Sequence, residues 1–210
     1  MYNVRPRGAN IKGTCYTEAM ISTAQTSRFA IIGLLSFLAA LLNVALASMV
    51  GAFTVPLYFD SIFTIIVAVH LGVVPALVTA VTTNGLLAIT GQVLFPFVIC
   101  SILTALIVAG FRARHWLRGH TGYLWMGLAV AVANGVVGSW ISFSLFSGVT
   151  EVHGIDRLVM GVLLTGQNMG TAVFWAGMLT NVMDKLISAL VAFFSRSTWE
   201  SLRHRLIGID

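Results

Sequence analysis

The sequence predicts an all-α integral membrane protein, a six-transmembrane-helix bundle with both termini cytoplasmic, and three observations carry that prediction. Apolar residues make up 58% of the 210 residues and charged ones only 9%, against about a quarter charged in a soluble domain; mean hydropathy is +0.92. Residues 29–59, 61–111, 121–150 and 158–183 contain no Asp, Glu, Lys or Arg, and a bilayer span needs about 20 apolar residues, about 17 at the short end. Eleven of the twelve basic residues gather in three places: Arg5, Arg7, Lys12 and Arg28; Arg112, Arg114 and Arg118; Lys185, Arg196, Arg203 and Arg205. The positive-inside rule assigns all three places to the cytoplasm. That clustering accounts for the net charge of +5 without a nucleic-acid partner.

The elements follow in order. Residues 1–28 are a cytoplasmic tail, disordered or a short surface helix, and residues 29–194 form the membrane domain. The first span is 29–50. Ala45-Leu-Ala47 has the small residues of a signal-peptide cleavage site, but the apolar run exceeds the 7 to 15 residues of a signal core and follows 28 mostly polar residues. With both flanking basic clusters inside, an even number of spans separates them. Residues 57–111 therefore hold three compact spans, broken at His70-Leu-Gly-Val-Val-Pro75 and from Gly91-Gln92 to Pro96, because Gly and Pro punctuate helices. Two further spans cover about 123–146 and 170–194, and residues 195–210 are a basic cytoplasmic tail. Arg157 lies with Glu151 and Asp156 in an outer loop. Cys15, in the first tail, and Cys100, in the fourth span, are separated too far on this topology to bridge.

Read at helical spacing, the small and polar residues form stripes. Span 1 carries Ser36, Ala40, Asn43, Ala47 and Gly51. Span 2 carries Asp60, Thr64 and Ala68, with Tyr58 and Ser61 beside the charge, and span 3 carries Ala80, Asn84, Ala88 and Gly91. Span 5 carries Gly127, Ala131, Asn134, Gly138 and Ser142, span 6 Gln167, Gly170, Asn181, Asp184 and Ser188, while span 4 is mostly apolar. Two readings stay open. Small residues let membrane helices approach closely and polar ones bond across the contact; alternatively, spans 2, 3, 5 and 6 enclose a polar cavity, a common place for bundle ligand sites.

Topology sorts these residues by depth. Tyr58, Asp60, Ser61, Asn84, Trp140, Asn168, Thr171 and Trp175 fall in the outer half and are the candidate ligand contacts, with Asn181 below them. Tyr58, Trp140 and Trp175 are equally placed to be interfacial aromatics. Asp184 and Lys185 lie deeper, as a cavity floor or a structural pair, although Lys185 could also snorkel to the interface. Charges inside apolar segments are rare and usually face a cavity or a partner. The loop 147–156 and the connection 51–56 are positioned to cover the cavity.

Catalysis is not expected. The five His are scattered, and the chain has no Walker, Gly-x-Ser-x-Gly or His-Glu-x-x-His motif and no carboxylates at catalytic spacing. Neither a metal nor an organic cofactor is expected, and no internal repeat suggests an inverted-repeat transporter.

Val55-Pro-Leu-Tyr-Phe-Asp60, Leu71-Gly72-x-x-Pro75-Ala76 and the closing Asn181-Val-Met-Asp-Lys-Leu-Ile-Ser-Ala189, with six short spans and cytoplasmic ends, resemble the substrate-binding S components of energy-coupling factor transporters. The resemblance covers about residues 29–194. It implies a multi-pass protein of the cell membrane that captures a vitamin or related micronutrient from outside. Its implied partners are a coupling transmembrane subunit and two cytoplasmic ATPases. The family's Ala-x-x-x-Ala coupling stripe has no literal match in span 1; the nearest pattern is Ser36-x-x-x-Ala40 with Gly33 a turn earlier, so Gly33, Ser36 and Ala40 are the coupling candidates. A chain of a different class, a membrane sensor or assembly subunit acting through protein contacts, would carry the same stripes as helix interfaces.

Overall fold

The structure, a computed structural model, describes the backbone of residues 11–150 and 152–206 and the side chains of 26–150 and 152–201. The described residues contain no strand. Seven helices follow in order: α1 (Ile11–Ala52), α2 (Ile62–His70), α3 (Val73–Ile89), α4 (Val98–Ala113), α5 (Gly119–Phe146), α6 (His153–Leu163) and α7 (Met169–Leu206), with a 3-10 turn at Phe95–Phe97 before α4. Among the described residues four stretches are long and apolar enough to cross a membrane: Thr26–Ala52, Phe95–Ala113, Gly119–Phe146 and Met169–Ser201. Their outward faces carry large exposed apolar side chains such as Leu34, Phe37, Val132, Val136, Leu179 and Phe194, the arrangement of a membrane helical bundle.

The two expected breaks fall where Gly and Pro stand. Gly72, at φ 101°, turns α2 into α3, and Gly91, at φ 69°, ends α3 before the 3-10 turn. Elsewhere the elements differ from expectation. α1 crosses the boundary placed at residue 28 without interruption, because no Gly or Pro lies between Cys15 and Ile32; residues 1–10 lie outside the described residues. α7 likewise continues past Phe194 to Leu206, so the basic segment after 194 extends the last helix. Residues 207–210 and Glu151 lie outside the described residues.

The largest departure is in the second expected span. Its helix begins at Ile62, not Leu57, and has 9 residues, about 14 Å of rise against a hydrocarbon core of about 30 Å. The five residues from Leu57 to Ser61 run non-helically instead, Phe59 adopting a left-handed backbone at φ 48°. Pro56 contributes by lacking an N–H and restricting the residue before it.

The helix-contact reading accounts for part of the stripes. α5 and α7 pack closely because small residues face each other: a Cβ on Gly127 would stand 2.8 Å from Ala189 Cβ, and one on Gly177 would stand 2.4 Å from Ser139 Oγ. A core including Ile65, Ala68, Val108, Tyr123, Met126 and Ala189 fills the bundle toward the Arg-rich end. At the other end α6, read from the sequence as loop, is an amphipathic helix whose Val159 packs on Ala172, Val173 and Ala176 of α7. Gly154 brings it against the segment after α1: a Cβ there would lie 2.6 Å from both the Thr54 and Val55 carbonyl oxygens.

Candidate functional site

The site is built where α7 meets the unwound lead into α2. Asn181, Asp184, Lys185 and Ser188 recur at three to four residues and so share the inward face of α7; all four are buried. Lys185 Nζ donates to Ser61 Oγ at 2.5 Å, to Asp60 Oδ1 at 3.5 Å, and in a short bond to Asp184 Oδ2. These three contacts use the three protons of an ammonium. Nζ also lies 5.9 Å from the centroid of the Tyr58 ring. With Lys185 2% and Asp184 0% exposed, the lysine does not snorkel.

Asp184 has a second role. Its Oδ1 accepts the Phe59 backbone N–H at 2.9 Å, supplying a partner to non-helical backbone inside an apolar bundle, where an unpaired amide is costly. Both Asp184 oxygens are therefore engaged. Asp60 keeps only the long contact to Lys185, and its side chain is 16% exposed. Two carboxylates face one ammonium, so with both ionised the cluster holds one uncompensated negative charge beside Asp60.

This geometry corrects the depth assignment made from topology. Asp60 and Lys185 are in direct contact, because the chain descends unwound from Leu57 and brings Asp60 level with the α7 pair. The expected outer site and deeper floor are one cluster.

A cavity of about 30 Å³ borders the cluster, lined by Tyr58, Asp60, Ser61, Asn181 and Lys185 and, across from them, by Cys100, Ser101, Asn134 and Gly138. That volume admits one or two water molecules. Thr150 and Val152 close it on the side of the loop after α5. Beyond Tyr58, Asp60, Val93 and Val152, which form a shared wall, lies a vestibule of about 370 Å³ bounded by Ser48, Gly51, Gln92 and His153. The covering loop is tied down: Thr150 donates through its N–H and Oγ1 to Asp156 Oδ1, at 2.9 and 2.7 Å, and Arg157 Nη1 donates to Thr54 Oγ1 at 3.3 Å.

The bundle amides divide into satisfied and unsatisfied groups. Asn43 is satisfied: its Nδ2 donates to Thr64 and Thr83, and its Oδ1 accepts the Phe63 N–H at the start of α2. Asn134 is not. Its Nδ2 donates to Thr104 Oγ1 at 2.8 Å, and Thr104 donates onward to the Cys100 carbonyl at 3.0 Å. Because Thr104 spends its proton there, the Asn134 amide must present Nδ2 to it. The buried Oδ1 of Asn134 then has no partner, although such groups are nearly always paired. Asn84 is similar: Nδ2 donates to Ser101 Oγ at 2.5 Å and to the Ala80 carbonyl, and Oδ1 is unpartnered, but it stands behind Ser101 rather than on the cavity wall.

Of the sequence candidates, the fold brings Tyr58, Asp60, Ser61, Asn181 and Lys185 to the cavity, with Asp184 and Asn84 behind the wall. Four others lie elsewhere. Trp140 and Trp175 are 64% and 58% exposed on the outward faces of α5 and α7. Each is six residues from a cavity asparagine, Asn134 or Asn181, hence about 120° away around its helix. Asn168 caps the start of α7, its Oδ1 accepting the Thr171 N–H at 2.9 Å, and ten residues of helix, about 15 Å, separate Thr171 from Asn181. On α1, Ser36 and Ala40 are buried, and Thr79 Oγ1 donates to the Ser36 carbonyl at 3.2 Å. These two positions serve α1–α3 packing and are closed to a partner; Gly33 alone is exposed.

Sequence reasoning missed the contribution of the fourth expected span. Cys100 and Ser101 line the cavity and Thr104 orients Asn134; the polar spacing Cys100-Ser101-x-x-Thr104 was the available signal within an apolar helix. Among the described residues no group of three His, Cys, Asp or Glu could hold a metal ion. No family model, curated protein or solved structure matches the chain.

Proposed function

We propose that the chain is a membrane-embedded substrate-binding subunit of the energy-coupling factor type, capturing a small vitamin-like metabolite at the Asp60–Lys185 cluster. The observation that carries this reading is the Asn134 Oδ1, a buried acceptor without a partner on the wall of a cavity that also presents the under-engaged Asp60 carboxylate. Two acceptors and, with both carboxylates ionised, one uncompensated negative charge suit a ligand that donates hydrogen bonds and carries positive charge. A metabolite is larger than 30 Å³, so binding on this reading displaces the shared wall of Tyr58 and Val152 and merges cavity with vestibule.

In this proposal the bundle has six spans, α2 with its unwound lead being the second and α3 the third. The clustered arginines set the termini and the α4–α5 loop in the cytoplasm, and the vestibule opens to the outside of the cell membrane. Partners would be a coupling transmembrane subunit and two ATPases, docking on a surface other than Ser36 and Ala40. A second reading, a membrane sensor, is favoured by one feature: α7 runs as one helix from Asn181 at the cavity to Leu206, a rigid link from a ligand site to the Arg-rich end.

A thermal-shift screen of the purified full chain with vitamin-like compounds tests the ligand site. Stabilisation by a donor-bearing compound, weakened by Asp60→Ala and Asn134→Ala, is the expected result. Absence of stabilisation by every such compound in well-folded protein would overturn the transport reading. Copurification with an ATPase module separates transporter from sensor.

A further inference from the structure

At the opposite end of the bundle from the cavity, a hollow of about 390 Å³ lies between the end of α2, the α4–α5 loop and α7. Its lining includes Arg112, Arg118 and Arg196 and one carboxylate, Glu200. None of these arginines makes an ion pair among the described residues, where the ion pairs are those of Lys185. Positive-inside bias explains basic residues at this end, but not their convergence, unpaired, on one concavity.

The local structure favours that convergence. Gly72 leaves room for the Arg112 guanidinium: a Cβ there would stand 2.5 Å from Arg112 Nη1. Trp199 stacks on His70, ring centroids 5.0 Å apart and planes 22° from parallel, and His70 Nε2 lies 3.2 Å from Ser195 Oγ. The rings give the hollow a rigid aromatic wall. His70 ends α2 at the turn, next to the Gly72 that accommodates the Arg112 guanidinium.

We propose that this hollow binds a phosphate-bearing anion, held by the guanidinium forks of Arg112 and Arg196 with Arg118 at the rim. Guanidinium matches phosphate geometry through paired N–H donors, and basic pockets between helices at the cytoplasmic side are suited to anionic headgroups. The chemistry is the same for an anionic phospholipid headgroup and for a soluble phosphate compound. The site is independent of the cavity at Asp60 and of the function proposed for it.

The test uses the full chain in nanodiscs, with the His70 ring followed by NMR and binding by the change in tryptophan fluorescence. In phosphatidylcholine nanodiscs, inorganic pyrophosphate is titrated; in a second arm, phosphatidylglycerol is added to the lipid. An anion held between Arg112 and Arg196 moves the His70 ring resonances, because the ring lines the same hollow. A shift with pyrophosphate identifies a soluble phosphate site, and a shift with phosphatidylglycerol alone identifies a lipid headgroup site. Arg112→Ala and Arg196→Ala abolish the shift, and Arg112→Lys, which keeps the charge without the fork, weakens it. Arg114→Ala leaves it unchanged, since Arg114 lies over Trp116 at 5.3 Å and outside the hollow. No shift with either anion overturns the proposal, as does an Arg114→Ala loss equal to that of Arg112→Ala.

Discussion

The backbone N–H of Phe59 donates to Asp184 Oδ1 at 2.9 Å, across 125 residues of sequence, and so a carboxylate buried in the last helix holds the unwound start of the second. The same carboxylate accepts from Lys185. Structure and site thus share an atom group, and substitutions around it should separate their contributions.

Asp184→Ala leaves the Phe59 amide and the Lys185 ammonium without their partner, and removing one member of a buried ion pair typically costs about 3–5 kcal/mol. The expected outcome is a large fall in the unfolding midpoint in detergent. Asp184→Asn keeps an acceptor for Phe59 and should fall less; equal losses would mean that the amide contact contributes nothing.

Asp60→Ala should behave differently. Its contact with Lys185 is 3.5 Å and its side chain is partly exposed, so the ligand-free midpoint should drop less than for Asp184→Ala. The ligand-induced rise should be lost. An Asp60→Ala protein that binds its ligand with unchanged affinity places the ligand elsewhere.

Asn134→Ala removes an acceptor that no protein group uses. A bound N–H donor would lose one hydrogen bond, about 1.4 kcal/mol or roughly tenfold in Kd by titration calorimetry. Asn84→Ala, whose free oxygen lies off the cavity wall, should change stability and not affinity. The reverse pattern would exchange their roles.

The cover can be probed through Cys100, which lines the cavity. In a Cys15→Ser background, Gly154→Ala inserts a Cβ where the Thr54 and Val55 carbonyls stand 2.6 Å away. Shifting α6 and its loop should speed maleimide labelling of Cys100 by roughly tenfold, equivalent to about 1.4 kcal/mol in the opening equilibrium. Unchanged labelling would show that α6 does not control access.

Trp140→Leu and Trp175→Leu should leave ligand affinity intact, since both rings point away from the cavity. A tenfold loss for either, measured by calorimetry, would contradict the cavity assignment.

Much of this was legible in the chain itself. Tyr58, Asp60, Ser61, Asn181 and Lys185 stood out because polar groups are conspicuous in apolar segments, and the breaks at Gly72 and Gly91 followed from backbone freedom at those glycines. The tryptophans were misassigned because depth along a helix was inferred without its rotation, and six residues rotate a side chain to a different face. The part played by Cys100, Ser101 and Thr104 was hidden for a related reason: three polar groups in an apolar helix become informative only once Asn84 and Asn134 are seen beside them.

The sequence alone determined that the chain is helical and apolar enough to cross a membrane, and which few polar groups its apolar segments carry. These are local properties of composition and period, legible without neighbours. Tertiary structure decided that Asp60, Asp184 and Lys185 are one cluster, that α2 begins unwound, and that Asn134 has an oxygen to spare. Those outcomes depend on which donors and acceptors meet across 30 to 125 residues, and pairing over such separations has no signature in the linear pattern.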